Sequence, residues 1–324
     1  MTWLTWRQHR LQLMATYLVV GVLAAYLVHK SQDIVAYAKT VDPACLGGAP
    51  AGCDPDQLDR FTGEPTTIKQ LMYLSNLLPA IVGAFWGAPM VAREFERGTY
   101  RLAWTQSVSP VRWITGKLTV LTLAAAAGGA ATSALFGWAV SGWRITGSVN
   151  RFREWWIFDL VGVVPVLLWP LALLLGVAAG LVIRRVSTAM AVSLVLFGTL
   201  TIGLAQVRPH YATPGQRPEG SQSTGVAFTD DWPLHTAVLN RSGATVAAGT
   251  ADRTCPDPHP DPAGGASITG RDPACLRARG WQDVEYYHPA SSFWRFQWTQ
   301  AGVEAVIIAV LAAFILVRVR RRAW

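Results

Sequence analysis

Residues 157–183 read IFDLVGVVPVLLWPLALLLGVAAGLVI, residues 184–186 read RRV, and residues 187–207 read STAMAVSLVLFGTLTIGLAQV. Two apolar runs are thus separated by only Arg184, Arg185 and Val186. A helix rises about 1.5 Å per residue, so about 20 residues cross a hydrocarbon core of about 30 Å. Lipid offers the backbone no hydrogen-bond partners, so runs of this kind are helices. The short connection makes them an antiparallel hairpin, and this stretch alone places the chain in a membrane.

Outward from the hairpin, the same test finds further spans at Leu11–Val28, Leu71–Ala92, Leu118 to about Val140, and Ala301–Val317. With the hairpin they make six. Composition agrees: the chain is 51% hydrophobic and 15% charged, where a soluble domain carries about a quarter charged residues. The fold class expected is an all-α polytopic membrane protein. Gly83-x-x-x-Gly87 and Gly176-x-x-x-Gly180 offer flat faces for close helix packing. Pro79, Pro89, Pro165 and Pro170 should bend or open their helices.

Basic residues set the orientation. One set of connections holds Arg7, Arg10, Arg93, Arg97, Arg101, Arg112, Lys117, Arg184, Arg185, Arg318, Arg320, Arg321 and Arg322, against only Glu94 and Glu96. Every other acid except Glu304 falls in residues 29–70, 141–159 or 208–300. The basic side is expected to be cytoplasmic. Both termini are then expected on the cytoplasmic side of a cell membrane, which requires an even number of spans. The net charge of +8 reflects this topology and does not point to nucleic acid.

All four cysteines fall on the opposite side. Cys45 and Cys53 share one loop, and Cys255 and Cys275 share another. Four cysteines allow three pairings. Pairing within each loop closes the shortest rings, and an extracytoplasmic face suits disulfides. The domain layout expected is 1–207 for five spans, 208–298 for a disulfide-stapled, partly irregular extracellular loop domain, and 299–324 for the sixth span with its basic tail. Trp3, Leu4 and Trp6 beside Arg7 and Arg10 suggest a short interfacial helix.

Catalytic chemistry is not legible. Ile114-Thr115-Gly116-Lys117-Leu118 only imitates a phosphate loop: Val111 stands where the leading glycine belongs, and no Ser or Thr follows the lysine. His259 between Asp257 and Asp261 reads as a solvated loop, and no metal is expected. Apart from Asp159 at the edge of the fourth run, Glu304 is the one ionisable residue placed inside a span. It is expected near the outer boundary, either hydrated or lining a transport pathway and paired with a cation such as Arg295.

Between the second and third spans lies Arg93-Glu94-Phe95-Glu96-Arg97-Gly98-Thr99-Tyr100-Arg101-Leu102. Glu94, Arg97 and Arg101 share one helical face, and Phe95 and Leu102 another. A short amphipathic helix at about 93–108 is expected, followed by a new helix at Ser109-Pro110. The order E-x-E-x-G-T, then Pro, Arg and Gly-Lys entering the third span, resembles the type-2 ABC exporter permeases. The segment from Tyr287 to Gln297, followed by Glu304 and an arginine cluster, is similar to actinobacterial members. In that family the corresponding loop is the coupling helix. The resemblance therefore implies that Glu94, Glu96, Gly98 and Thr99, with Arg97 and Arg101 beside them, dock on a cytoplasmic ATPase subunit. ATP and Mg would belong to that partner, with no cofactor and no hydrolysis on this chain. A second permease copy, or a related one, would complete the path within the lipid. A membrane-anchored receptor or assembly scaffold is the alternative function. A secondary transporter ranks below both, because it needs several charges at mid-membrane.

Overall fold

A computed structural model describes residues 2–40, 69–96, 98, 110–143, 150–218, 231–256 and 271–322. Cys45, Cys53, Arg97, Thr99 and Arg101 lie outside the described residues, as does most of the expected helix at 93–108. The chain divides into two units, residues 1–208 with 294–324, and residues 209–293.

The first unit is helical. Its elements are α1 (Thr2–Ala38), α2 (Lys69–Glu96), α3 (Pro110–Trp143), the short α4 (Trp155–Phe158), α5 (Val164–Ile183), α6 (Val186–Val207) and α9 (Phe293–Arg322). Among the described residues, six helices are long and apolar enough to cross a membrane. Leu18, Val22, Val195, Ile202, Val306 and Val310 remain exposed on α1, α6 and α9. So much apolar surface is matched by lipid and not by water.

α5 is the hub, apolar around its whole circumference as a buried helix must be. It packs against α2, α3 and α6. Small residues allow the approach. A Cβ on Gly176 would run into the Gly83 carbonyl, and one on Gly180 into that of Ala88. Gly87 meets Leu173 and Gly176 in the same way, and Gly129 of α3 meets Pro165. The two G-x-x-x-G patterns are therefore faces of one contact. Around it, Leu13, Met90, Val91, Ile114, Leu118, Leu181, Ile315 and Val319 bury a shared core toward one end of the bundle.

The prolines act locally. α2 is interrupted by a turn at Asn76 and is π-helical over Gly83–Gly87. Asn76 Nδ2 donates to Met72 O at 3.0 Å and across to Trp156 O at 2.9 Å. Pro89 has no N–H for the carbonyl four residues back, which is that of Phe85. Gln12 Nε2 of α1 donates to this oxygen at 2.9 Å.

Three expectations need correction. The N-terminal residues do not form a separate interfacial helix, because α1 runs unbroken from Thr2 to Ala38. The fourth span does not begin at Ile157. α4 ends at Phe158, Gly162 takes a left-handed φ of 77°, and α5 starts at Val164 with a proline in its first turn. Apolar composition continues through this corner and hides it.

The third correction concerns the all-α class. The second unit contains a four-stranded antiparallel sheet in the order β1-β4-β2-β3. Its strands are β1 (Gly215–Pro218), β2 (Trp232–Leu239), β3 (Thr245–Val246) and β4 (Gln282–His288). β2 and β4 pair Trp232 with His288 and Leu239 with Gln282, with an irregularity between Pro233 and His235. Strand-favouring Trp, Thr, Val and Tyr were present. The sheet is half exposed, so apolar alternation is weak.

Two short helices, α7 (Ala248–Thr254) and α8 (Pro273–Arg279), are joined by the disulfide Cys255–Cys275. Asp272 caps α8, and Gly280 closes it at φ 67°. Val238, Ala251, Cys255 and Leu276 form the small core. Such a core is too slight to rely on apolar burial alone, and ion pairs flank it. Arg271 reaches Asp252 at 2.6 Å and Asp283 at 2.7 Å. Arg217 reaches Asp231 at 2.6 Å and Glu285 at 2.7 Å over the Tyr287 ring.

Candidate functional site

The end of the helical unit where α2 and α5 finish gathers charge from four helices. α2 stops at Glu96, and Gly98 follows in the left-handed region at φ 69° with its N–H on Phe95 O. Glycine takes this conformation without a Cβ penalty, so Gly98 serves the end of the helix. Glu94 lies 3.6 Å from Lys117 Nζ of α3, a side chain only 6% exposed. The same ammonium sits 4.1 Å over the Trp113 ring. The lysine of the false phosphate loop is thus an ion-pair partner, with its ammonium held over an aromatic face.

Glu96 does something different. α6 begins at Val186, and its N-cap Arg185 makes no side-chain capping bond. Glu96 Oε1 accepts the Val186 N–H at 2.7 Å from outside the helix. A carboxylate at a helix N-terminus is favoured by both the free N–H and the helix dipole. Arg184 turns the hairpin at φ 60° and lies 5.3 Å over the Phe95 ring. Glu94 and Glu96 therefore bind the end of α2 to α3 and to the α5–α6 hairpin.

A second polar cluster lies at the opposite end. Arg208, just past α6, is 1% exposed and donates from Nη2 to Asp159 Oδ1 at 2.6 Å. Its Nε donates to Gln300 Oε1 at 3.1 Å, and its guanidinium lies 4.0 Å over the Phe158 ring. Gln300 Nε2 donates to Asp159 Oδ1 at 3.1 Å and to Glu304 Oε1 at 3.2 Å. One turn earlier on α9, Gln297 Oε1 accepts from Val163 N and Val164 N, while its Nε2 donates to Phe158 O. That one amide satisfies the free N–H groups at the start of α5.

The matched part of the chain is now in view: the pattern of the ABC-2 membrane transporter related family fits residues 17–208. The chain belongs to that family. Comparison with curated proteins and with solved structures gave no match. The matched segment holds α1 from residue 17 onward and the next four span helices, including the α2–α3 connection and the α5–α6 hairpin. As an ABC-2 family member the chain is a multi-pass permease subunit of an ABC transporter, a transport subunit and not itself a catalyst.

Set against this identity, the residues singled out by sequence fall into separate places. Glu94 and Glu96 come together at one end, and Glu304 stands at the other. Glu304 is fully buried, so it is not a hydrated boundary residue. Arg295 is exposed and is not its partner; Gln300 is. A helix turns about 100° per residue, which puts positions nine apart on opposite faces. Asp159, Arg208, Gln297 and Gln300 were missed. The available signal was a polar position repeating at 297, 300 and 304, a helical spacing on one face. In the second unit, burial pushes the His288 imidazole below its ordinary range, against a weaker opposing effect of its hydrogen bond with Pro209 O at 2.9 Å.

Proposed function

We propose that this ABC-2 permease is the membrane half of an ATP-driven exporter, with hydrolysis on a separate cytoplasmic subunit. That subunit docks on the connection at residues 93–108, where Glu94, Glu96, Arg97, Gly98, Thr99 and Arg101 are the contact or positioning residues. The bond from Val186 N to Glu96 is the single observation that carries the reading. A partner can move this chain only through contacts that differ between its own states. Through Glu96 a push on the connection reaches the α5–α6 hairpin, and through Glu94 it reaches α3. In this reading both termini are cytoplasmic in the cell membrane, residues 208–298 face outward, and a second permease completes the path.

The test is purification of the tagged full chain from its own membrane in mild detergent. A nucleotide-binding subunit should come with it, and ATP hydrolysis by the complex should respond to the permease. Glu96→Gln should retain the complex and reduce that response several-fold, because a neutral side chain caps Val186 more weakly. Recovery of the chain without any nucleotide-binding subunit defeats the proposal.

A further inference from the structure

Glu304 presents an unbalanced carboxyl group. It is 0% exposed, and only Oε1 has a partner, the Gln300 amide. Oε2 is buried with no hydrogen-bond partner among the described residues. The cluster holds two carboxyl groups, Asp159 and Glu304, and one cation, Arg208. The guanidinium is committed to Asp159 and to the Gln300 carbonyl oxygen. Of the elements packed against α9, Leu77–Ala92, α5 and α6 contain no Asp, Glu, Lys, Arg or His. The segment before α5, which meets α9 through Phe152 and Phe296, adds Arg151, Arg153 and Glu154, none of them bonded to Glu304. The charged helices α1 and α3 share a core with α9 around Ile315 and Val319, toward its other end. An ionised Glu304 would therefore be a buried negative charge with one neutral donor, an expensive arrangement.

We propose that Asp159, Arg208, Gln300 and Glu304 form a proton-binding site in which Glu304 Oε2 takes the proton. The step is simple in balance: one proton from water adds to one carboxylate oxygen, giving a neutral acid, and nothing is oxidised or reduced. Gln300 holds Oε1 and leaves Oε2 as the atom to be protonated. The Asp159–Arg208 pair stays ionised and neutral overall. A metal cation is a poor occupant, because a guanidinium already stands in the cluster, which holds only two carboxyl groups. Hard cations take six or more oxygen ligands. Any conformation that brings Glu304 to water would let the proton leave, so proton release would accompany opening at this end of the bundle. This inference does not depend on export or on the ATPase.

Infrared spectroscopy of the full chain in lipid nanodiscs at neutral pH tests it. The wild type should show the C=O stretch of a protonated carboxylic acid. Glu304→Gln should remove that band, and Asp33→Asn, at an exposed carboxylate, should leave it. Wild-type chain carrying 13C-labelled glutamate should show the band shifted, a result that does not require the variant to fold. Raising the pH should lower the wild-type thermal midpoint, since a proton bound only in the folded state stabilises below the pH at which it is lost. Glu304→Gln should flatten this dependence. Absence of the band from the wild type, a band unmoved by the label, or a band that persists in Glu304→Gln overturns the proposal.

Discussion

Arg208 ties residues that are far apart in sequence, Asp159 before α5 and Gln300 on α9. Both members of its ion pair are almost fully shielded, at 1% and 5% side-chain exposure. Removing one partner of such a pair strands the other, which costs about 3–5 kcal/mol. Arg208→Met should therefore destabilise the purified chain by about that amount, read as a lower unfolding midpoint. Arg208→Met with Asp159→Leu should recover most of the loss. A double variant no better than the single would mean that the guanidinium matters through Gln300 or Phe158 instead. At this scale the sequence shows charge but not pairing. Glu304 is visible as an anomaly in an apolar run, whereas Asp159 and Arg208 sit at the edges of their runs and look like loop residues. Burial at a corner is a tertiary property, and no local pattern reports it.

Among the elements, α5 shows what helix packing in lipid requires. Water no longer drives apolar helices together there, so close van der Waals contact between backbones carries the association. Gly176 is the tightest point, facing both Gly83 and Ala88. Gly176→Leu should abolish accumulation of folded protein. Gly137→Leu, where an added Cβ meets nothing, should be tolerated; fluorescence-detected size exclusion separates the two. Equal tolerance would show that α2 and α5 can part without loss of the fold. The six spans and the two glycine patterns are legible because membrane thickness and small-residue spacing are local rules. The break before α5 is not, since Gly162 and Gln297 create it from different parts of the chain. The sheet is also hidden, because strands β2 and β4 are brought together across two helices and a disulfide. At the end where α2 and α5 finish, Glu94 and Glu96 are singled out by resemblance, but their bonds to Lys117 and Val186 emerge only in three dimensions.

For the molecule as a whole, the two units rest on different physics. Residues 209–293 have a small core, and the bridge between Cys255 and Cys275 spans 20 residues of chain. Closing a loop of this length should stabilise the unit by about 3 kcal/mol. Peptide mapping without reductant should recover the crosslinked pair. Reduction should speed proteolysis within 209–293 while the helical unit survives; simultaneous loss of both would mean that they unfold together. The helical unit keeps the chain on either side of the insertion in register by itself: Arg208, where the chain leaves, holds Gln300 after its return through a bond of 3.1 Å. The insertion thus begins and ends at a fastened seam. Such a seam permits a swappable cassette, so lineages can lengthen, replace or discard this stretch while inheriting the membrane machinery unchanged.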